Sequence, residues 1–162
     1  MPIAPDVVRE AIVHALSGHY SHMDVRKSLE AVDAKVAGHL PAGSPHSIFQ
    51  IVNHMIFWQE FFLERLAGTP VPEPEEDRWP WPASPSSQAE WDQVVARFFR
   101  GLDRAVEFAA APDLDKVLAG AKSTSRLDAL RTIASHNSYH VGQIVLLCQL
   151  GAARNDGARG GS

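Results

Sequence analysis

Two histidines, His136 and His140, lie four residues apart in the last third of the chain. On a helix this spacing places both imidazoles on one face, and it is a spacing with which a helix delivers two nitrogens to one zinc ion. Gln143 follows on the same face. Burying two imidazoles and an amide in an apolar stripe is costly unless each finds a partner. The apolar residues of this stripe are Ala129, Ile133, Leu147 and Leu150.

A third histidine, His54, lies on a different predicted helix. On the helical wheel it neighbours Ile51, Trp58 and Phe61, next to the apolar arc of that helix. Three neutral imidazoles form a usable ligand set for a divalent metal ion and leave a position open for water or substrate. The alternative is a polar layer in which the histidines hydrogen-bond to one another and to Gln143, and the spacing alone does not choose between the two.

The residues around the histidine pair exclude two familiar metal chemistries. The segment from His136 to His140 carries Asn137 where the zinc-protease motif carries its catalytic glutamate, so a protease is not supported. No Glu-x-x-His pair is present, which argues against a di-iron carboxylate bundle. The single cysteine, Cys148, lies about 100° from the histidine stripe and is expected to pack rather than to bind metal.

The other five of the eight histidines fall in the first 46 residues and follow no single helical face. Solvated or loop positions are the simplest interpretation for most of them. Two of them, His22 and His46, flank predicted helices and could reach an opening of a bundle, but the sequence assigns them no role. The five are His14, His19, His22, His39 and His46.

Hydrophobic periodicity and helix-capping signals predict a chain of helices without paired strands. Ser47 is a predicted N-cap, and the segment Ser87–Glu90 has the capping-box pattern. Residues 1–151 are predicted to form one domain, and the Gly-rich residues 152–162 a flexible tail. The predicted helices are Pro5–Ser17, Asp24–Ala37, Ile48–Ala67, one from Ser87 to before Pro112, and one from after Ser125 to Leu150, with Gly151 as its stop.

Between the third and fourth predicted helices lies a long proline-rich connection, residues 69–86, which contains Trp79 and Trp81. Such a segment is either a crossover that packs its tryptophans on the bundle or a functional loop, in which both rings wall the mouth of a substrate site. The predicted fold is all-α: a four-helix bundle with an added short N-terminal helix and this long proline-rich crossover.

Composition narrows the function classes. The chain has 162 residues, 45% hydrophobic and 21% charged, with a formal net charge of −4. These values suit a single folded domain and argue against a nucleic-acid partner. One cysteine permits no intrachain disulfide, which fits a reducing compartment and predicts a cytoplasmic location. Neither a signal peptide nor an apolar run of membrane-spanning length is visible, so no membrane partner is expected.

Two motifs give the chain a family resemblance. The segment Pro45–Met55, followed by Trp58, resembles the helix-two motif of the DinB/YfiT-like superfamily, and His136–Ile144 resembles its C-terminal motif. Trp91, near the start of a helix between them, also matches the usual pattern. The resemblance covers nearly the whole chain, and the two histidine motifs in this order are specific together.

The resemblance implies a four-helix bundle in which His54, His136 and His140 bind a divalent metal, with zinc and nickel both expected. It also implies a homodimer and a small-molecule substrate. Relatives include transferases that use a low-molecular-weight thiol, and stress-induced members without an established activity. The chain is therefore expected to be a metal-dependent S-transferase or hydrolase, in which Gln143 orients either the molecule at the open position of the metal or a water beside it. The alternatives are a non-catalytic metal-binding stress protein and a helical interaction module with a buried histidine layer.

Overall fold

The computed structural model describes residues 5–19, 23–75 and 79–159, and within these ranges it describes the side chains of residues 6–151. His22 lies outside these ranges. Within them no strand is present apart from one isolated bridge between Val117 and Ser125. No helix of the described residues combines the length and the hydropathy that a membrane span requires. The helices are α1 Pro5–Ser17, α2 Lys27–Glu30, α3 Ala34–Gly38, α4 Ile48–Leu66, α5 Gln88–Ala109 and α6 Arg126–Arg159.

The four long helices form the predicted all-α bundle. Helix α4 packs against α5 and α6, and α1 packs against the same two helices. The buried side chains of these helices form one continuous hydrophobic core, to which α2 and α3 add residues. Because α4 and α6 pack directly against each other, the two helices that carry the candidate ligands face one another in the core.

Both predicted N-caps, Ser47 and Ser87, are confirmed, whereas the capping box predicted over Ser87–Glu90 is only half formed. Ser47 accepts from the backbone N–H of Gln50, and the Gln50 side chain accepts from the Ser47 N–H, which completes a capping box at the start of α4. At α5, Ser87 accepts from the Glu90 N–H. The Glu90 carboxylate bonds to the N–H and hydroxyl of Ser86 rather than to Ser87, and these bonds lower the pKa of Glu90. The caps fix where each helix begins, and therefore which of its side chains face the core.

The prediction of one helix over Asp24–Ala37 is wrong, since two short helices occupy this region. Asp33 has an extended backbone and its carboxylate accepts from the Val36 N–H at 2.8 Å, which starts α3 afresh. An aspartate that caps the backbone in this way competes with a continuous helix. The added N-terminal element is therefore a pair of short helices, α2 and α3.

The prediction that the last helix ends at Gly151 is also wrong. Helix α6 begins after Ser125, as predicted, with the Ser125 hydroxyl bonded to the Asp128 carboxylate at 2.7 Å, but it continues to Arg159. A helical glycine costs about 1 kcal/mol relative to alanine, which weakens a helix without necessarily ending it. The flexible tail stays a prediction.

The second half of the proline-rich crossover is held against the start of α4. The Ser47 hydroxyl donates to the Ala83 carbonyl, and the Gln50 amide donates to the Trp81 carbonyl at 3.0 Å. The capping residues of α4 therefore also anchor the crossover. This anchoring brings Trp79 to the helix that carries His54.

Candidate metal centre

Three histidines from two helices meet inside the bundle. His54 extends from α4, and His136 and His140 extend from α6. The Nε2 atom of His136 lies 3.1 Å from the Nε2 atom of His54 and 3.1 Å from that of His140. His54 is 3% exposed and His140 is 4% exposed, so the cluster is largely closed off from water. The structure therefore brings together the three residues that the sequence singled out.

The spacing of these nitrogens suits a single small cation. Ligand nitrogens bound tetrahedrally to zinc at 2.0–2.1 Å are roughly 3.3 Å apart. The two Nε2–Nε2 distances are close to that value, and one ligand nitrogen from each ring lies within 4.8 Å of the others. Among the described residues the group contains histidines only, so no carboxylate would neutralise a bound divalent ion. Such an ion would keep its full charge for polarising a substrate.

Hydrogen bonds between neutral imidazoles do not account for both of the short nitrogen–nitrogen contacts. The Nδ1 atom of His140 lies 2.6 Å from Gln143 Oε1, so this nitrogen carries the proton and Nε2 presents a lone pair. His136 Nε2 has equally close contacts with two nitrogens, but a single N–H lies along only one of them. With neutral rings, one of the two contacts then lacks a matched donor and acceptor. One cation bound among the three rings would accept a lone pair from each of them.

Gln143 holds the ring of His140 from the side away from the cluster. Its carbonyl oxygen accepts from His140 Nδ1, and its amide nitrogen donates to the Tyr139 hydroxyl at 3.2 Å. A hydrogen bond to the outer nitrogen fixes the tautomer and orientation of a metal-binding imidazole and raises its basicity. In this structure Gln143 therefore supports a candidate ligand.

Trp79 of the crossover lies flat against the cluster. Its ring stacks on His54 with 4.0 Å between centroids and 6° between planes, and on its other face it stacks on His46 at 3.7 Å and 5°. His140 and Trp79 are in an edge-to-face arrangement, with 6.2 Å between ring centroids. Trp79 thus covers the centre and fixes the plane of the His54 ring. His46 does not join the cluster but holds the far face of Trp79.

The remaining candidates lie elsewhere. Trp81 contacts Phe57 edge-to-face at 6.3 Å and does not stack on the histidines, so only one of the two crossover tryptophans covers the cluster. His14 and His19 pack on each other at 4.8 Å, near the end of α1. His39 is exposed. These positions agree with the prediction that most of the N-terminal histidines occupy solvated or loop positions.

Two buried amides, Gln59 and Asn137, lie beside the cluster. Sequence reasoning overlooked Gln59 and noted Asn137 only as the residue that replaces the zinc-protease glutamate. The Asn137 amide nitrogen donates to Gln59 Oε1 at 3.2 Å, which links α6 to α4. Gln59 is 2% exposed and Asn137 is 1% exposed. Gln59 could have been found from the sequence, because it is an amide within an otherwise apolar helix face. Both residues line a cavity of about 390 Å³ that also contacts His54 and His136.

Two further side chains bear on the chemistry. Cys148 is half-buried against the core, and burial raises the pKa of its thiol, so it belongs to the packing, as expected. Asn53 is 8% exposed, and its amide donates to the Phe49 carbonyl of the same helix at 2.9 Å. Neither residue belongs to the histidine group.

The comparisons with known proteins identify the family. A family model described as the DinB superfamily matches residues 19–144, which span all three histidines. The chain therefore belongs to the DinB superfamily. No curated protein and no solved structure gives a significant match. A three-histidine group in a member of this superfamily is compatible with metal binding.

Proposed function

Starting from this membership, we propose that His54, His136 and His140 bind one divalent metal ion, zinc or nickel, and that the protein is a metal-dependent enzyme. The observation that carries the proposal is that His136 Nε2 lies 3.1 Å from the Nε2 atoms of both His54 and His140 within the core. Imidazole nitrogen suits both metals, so the ligand set does not choose between them.

The reaction class proposed is S-transfer from a low-molecular-weight thiol, or hydrolysis. When bound, the ion would lower the pKa of a thiol or water at its open position. The histidine group of the described residues includes no carboxylate base, which suits a nucleophile activated by the ion itself. Cys148 packs against the core and does not belong to the histidine group, and burial raises the pKa of its thiol, so the reacting thiol would come from a co-substrate. Gln143 and Trp79 would hold His140 and His54 in place.

Metal content tests the ligand assignment. After removal of metal and addition of one equivalent of zinc or nickel, the wild type should retain close to one ion per chain through gel filtration. His54→Ala, His136→Ala and His140→Ala should each lose it, whereas His14→Ala, the same change outside the cluster, should not. Stoichiometric metal in one of the three cluster variants would remove that residue from the ligand set.

Activity separates the enzyme from the two alternatives. Metal-loaded protein should accelerate conjugation between a low-molecular-weight thiol and an electrophile, or hydrolysis of an ester or amide, across a panel of such pairs. Metal binding without any turnover would favour a non-catalytic metal-binding stress protein. A protein that binds no divalent ion would favour an interaction module with a buried histidine layer.

The homodimer and the cytoplasmic location stay proposals. A face of α6 beside the cluster exposes Tyr139, Leu146 and Leu150, with exposed fractions of 65%, 54% and 45%. Apolar side chains exposed together on one helix are typical of a protein–protein contact. Leu146→Glu should shift a dimer to monomer in sedimentation equilibrium, and a wild-type monomer would refute the dimer.

A further inference from the structure

His46 lies close to the metal centre but contributes no nitrogen to the histidine group. It directly precedes Ser47, the N-cap of α4, and its backbone carbonyl accepts from the Ser44 hydroxyl at 2.8 Å. The cap and this hydrogen bond fix the backbone of His46 at the start of the helix that carries His54. The two histidines therefore belong to one rigid segment, eight residues apart.

The rings of these two histidines enclose a third ring. The half-buried His46 imidazole lies 3.7 Å from the Trp79 ring centroid at an interplanar angle of 5°. The His54 imidazole lies 4.0 Å from the same centroid at 6°. Both faces of the indole are therefore covered, and Trp79 cannot tilt away from His54 without displacing His46. These three rings are called the His46–Trp79–His54 stack below.

The plane of Trp79 is not set by a helix. Trp79 lies in a stretch of the crossover without regular secondary structure and packs on the edge of the hydrophobic core. The hydrogen bonds that join the crossover to α4 reach the carbonyls of Trp81 and Ala83, which follow Trp79 in the chain. These bonds hold the backbone, so the orientation of the indole depends on the rings that contact it.

The orientation of the indole in turn restricts His54. An imidazole stacked in parallel at 4.0 Å cannot rotate about its Cβ–Cγ bond without meeting the indole. The direction in which His54 presents Nε2 to His136 is therefore restricted by Trp79. Residues that orient a metal-binding imidazole typically change metal affinity by about 10- to 100-fold when they are lost.

We propose that His46 is a positioning residue of the metal centre. By stacking on the outer face of Trp79, it holds the indole against His54 and so keeps that imidazole oriented for the metal ion. The effect on the metal rests on the proposed function. The stack itself does not, because it needs no metal ion.

The first experiment measures the rate at which zinc-loaded protein releases its ion to excess chelator. His46→Ala should release zinc roughly two- to tenfold faster than the wild type, the value of one aromatic contact. His46→Gln, which keeps a polar side chain but no ring, should behave like His46→Ala. His46→Phe restores a ring and should return the rate close to that of the wild type. His39→Ala, the same change at an exposed histidine, should leave the rate unchanged.

A double-mutant cycle tests whether His46 acts through Trp79. If it does, the double variant His46→Ala/Trp79→Ala should release zinc no faster than Trp79→Ala alone, because the indole that His46 holds is already gone. If His46 stabilised the fold by an independent route, the two rate factors would multiply. Multiplied factors would overturn the proposal, even if His46→Ala alone released zinc faster.

The second experiment needs no metal. In chelator-treated protein the ring current of Trp79 should shift the NMR signals of the His54 ring protons, since the two rings are stacked at 4.0 Å. Trp79→Ala gives the position of these signals without the indole, and His54→Ala assigns them. His46→Ala should move the signals toward the Trp79→Ala position, whereas His46→Phe should keep them near the wild-type position.

Faster zinc release in His46→Ala and His46→Gln, together with rescue by His46→Phe, would support the proposal. Unchanged His54 signals in His46→Ala, or an unchanged rate of zinc release, would overturn it. Should His46→Ala fail to fold, His46→Gln carries the same test. A wild type that binds no zinc would refute the proposed function, and the His54 signals alone would then decide whether His46 holds the stack.

Discussion

The contact between Gln143 and His140 gives a quantitative prediction. Gln143→Leu replaces the amide with an apolar side chain of similar size and removes the acceptor that lies 2.6 Å from His140 Nδ1. Since His140 is 4% exposed, water cannot easily replace that acceptor. In the metal-bound state His140 must keep its proton on Nδ1, so the variant would bind metal with an unsatisfied buried donor.

Two routes give the size of the effect. Leaving a buried donor unpaired costs about 1–3 kcal/mol. Losing the outer partner of a metal-binding histidine typically costs about 10- to 100-fold in affinity, or roughly 1.4–2.8 kcal/mol. The ranges overlap, and Gln143→Leu should therefore weaken zinc binding by at least about tenfold. Gln143→Glu, which keeps an acceptor at this position, should retain most of the affinity.

The measurement is a competition titration of zinc against a chromophoric chelator. Gln149→Leu is the matched control, since it makes the same change at an exposed position of α6. Tyr139→Phe is the second control, because it removes the other partner of Gln143 and leaves the acceptor for His140 in place. Wild-type zinc affinity in Gln143→Leu would refute the supporting role of this amide.

Three further predictions concern the crossover, the core and a helix cap. Trp79→Ala should release zinc to excess chelator roughly tenfold faster than the wild type, because the ring stacked on His54 is lost. The control variants Trp79→Phe and Trp81→Phe should change the release rate little. An unchanged rate in Trp79→Ala would contradict the covering role of Trp79. Gly101→Ala should destabilise the fold by about 1–3 kcal/mol in urea unfolding, since the added Cβ would meet Gln59. Gly142→Ala places its Cβ in open space and should stabilise the fold by about 0.5–1 kcal/mol. Equal effects of the two substitutions would refute this account. Hydrogen bonds from Ser125 lower the pKa of Asp128, so the stabilisation they give is present above the ordinary Asp pKa and is lost as the pH falls through the lowered pKa of Asp128. The stability lost in Ser125→Ala should therefore become smaller in acid. A loss of stability that does not depend on pH would contradict this prediction.

Local signals in the sequence predicted the bundle and its histidines well. Ser47 and Ser87 mark the starts of α4 and α5 because capping depends on residues only three positions apart. The pair His136 and His140 was recognisable for the same reason, since four residues of helix fix their common face. His54 required a helical wheel and the family resemblance, because its partners lie 82 or more positions away along the chain.

What sequence reasoning missed depends on packing between distant segments. Trp79 lies in a proline-rich segment without periodicity, so its stacking between His46 and His54 has no local pattern. The bond between Gln59 and Asn137 depends on the rotation of two helices about their axes.

The most direct test of the central claim is an anomalous-difference map from crystals of zinc- or nickel-loaded protein, collected on both sides of the metal absorption edge. The account predicts a single strong peak within about 2.0–2.2 Å of the Nε2 atoms of His54, His136 and His140. A map without a peak among these three nitrogens, from protein soaked with a stoichiometric excess of the metal, would contradict the assignment of a metal centre to this cluster.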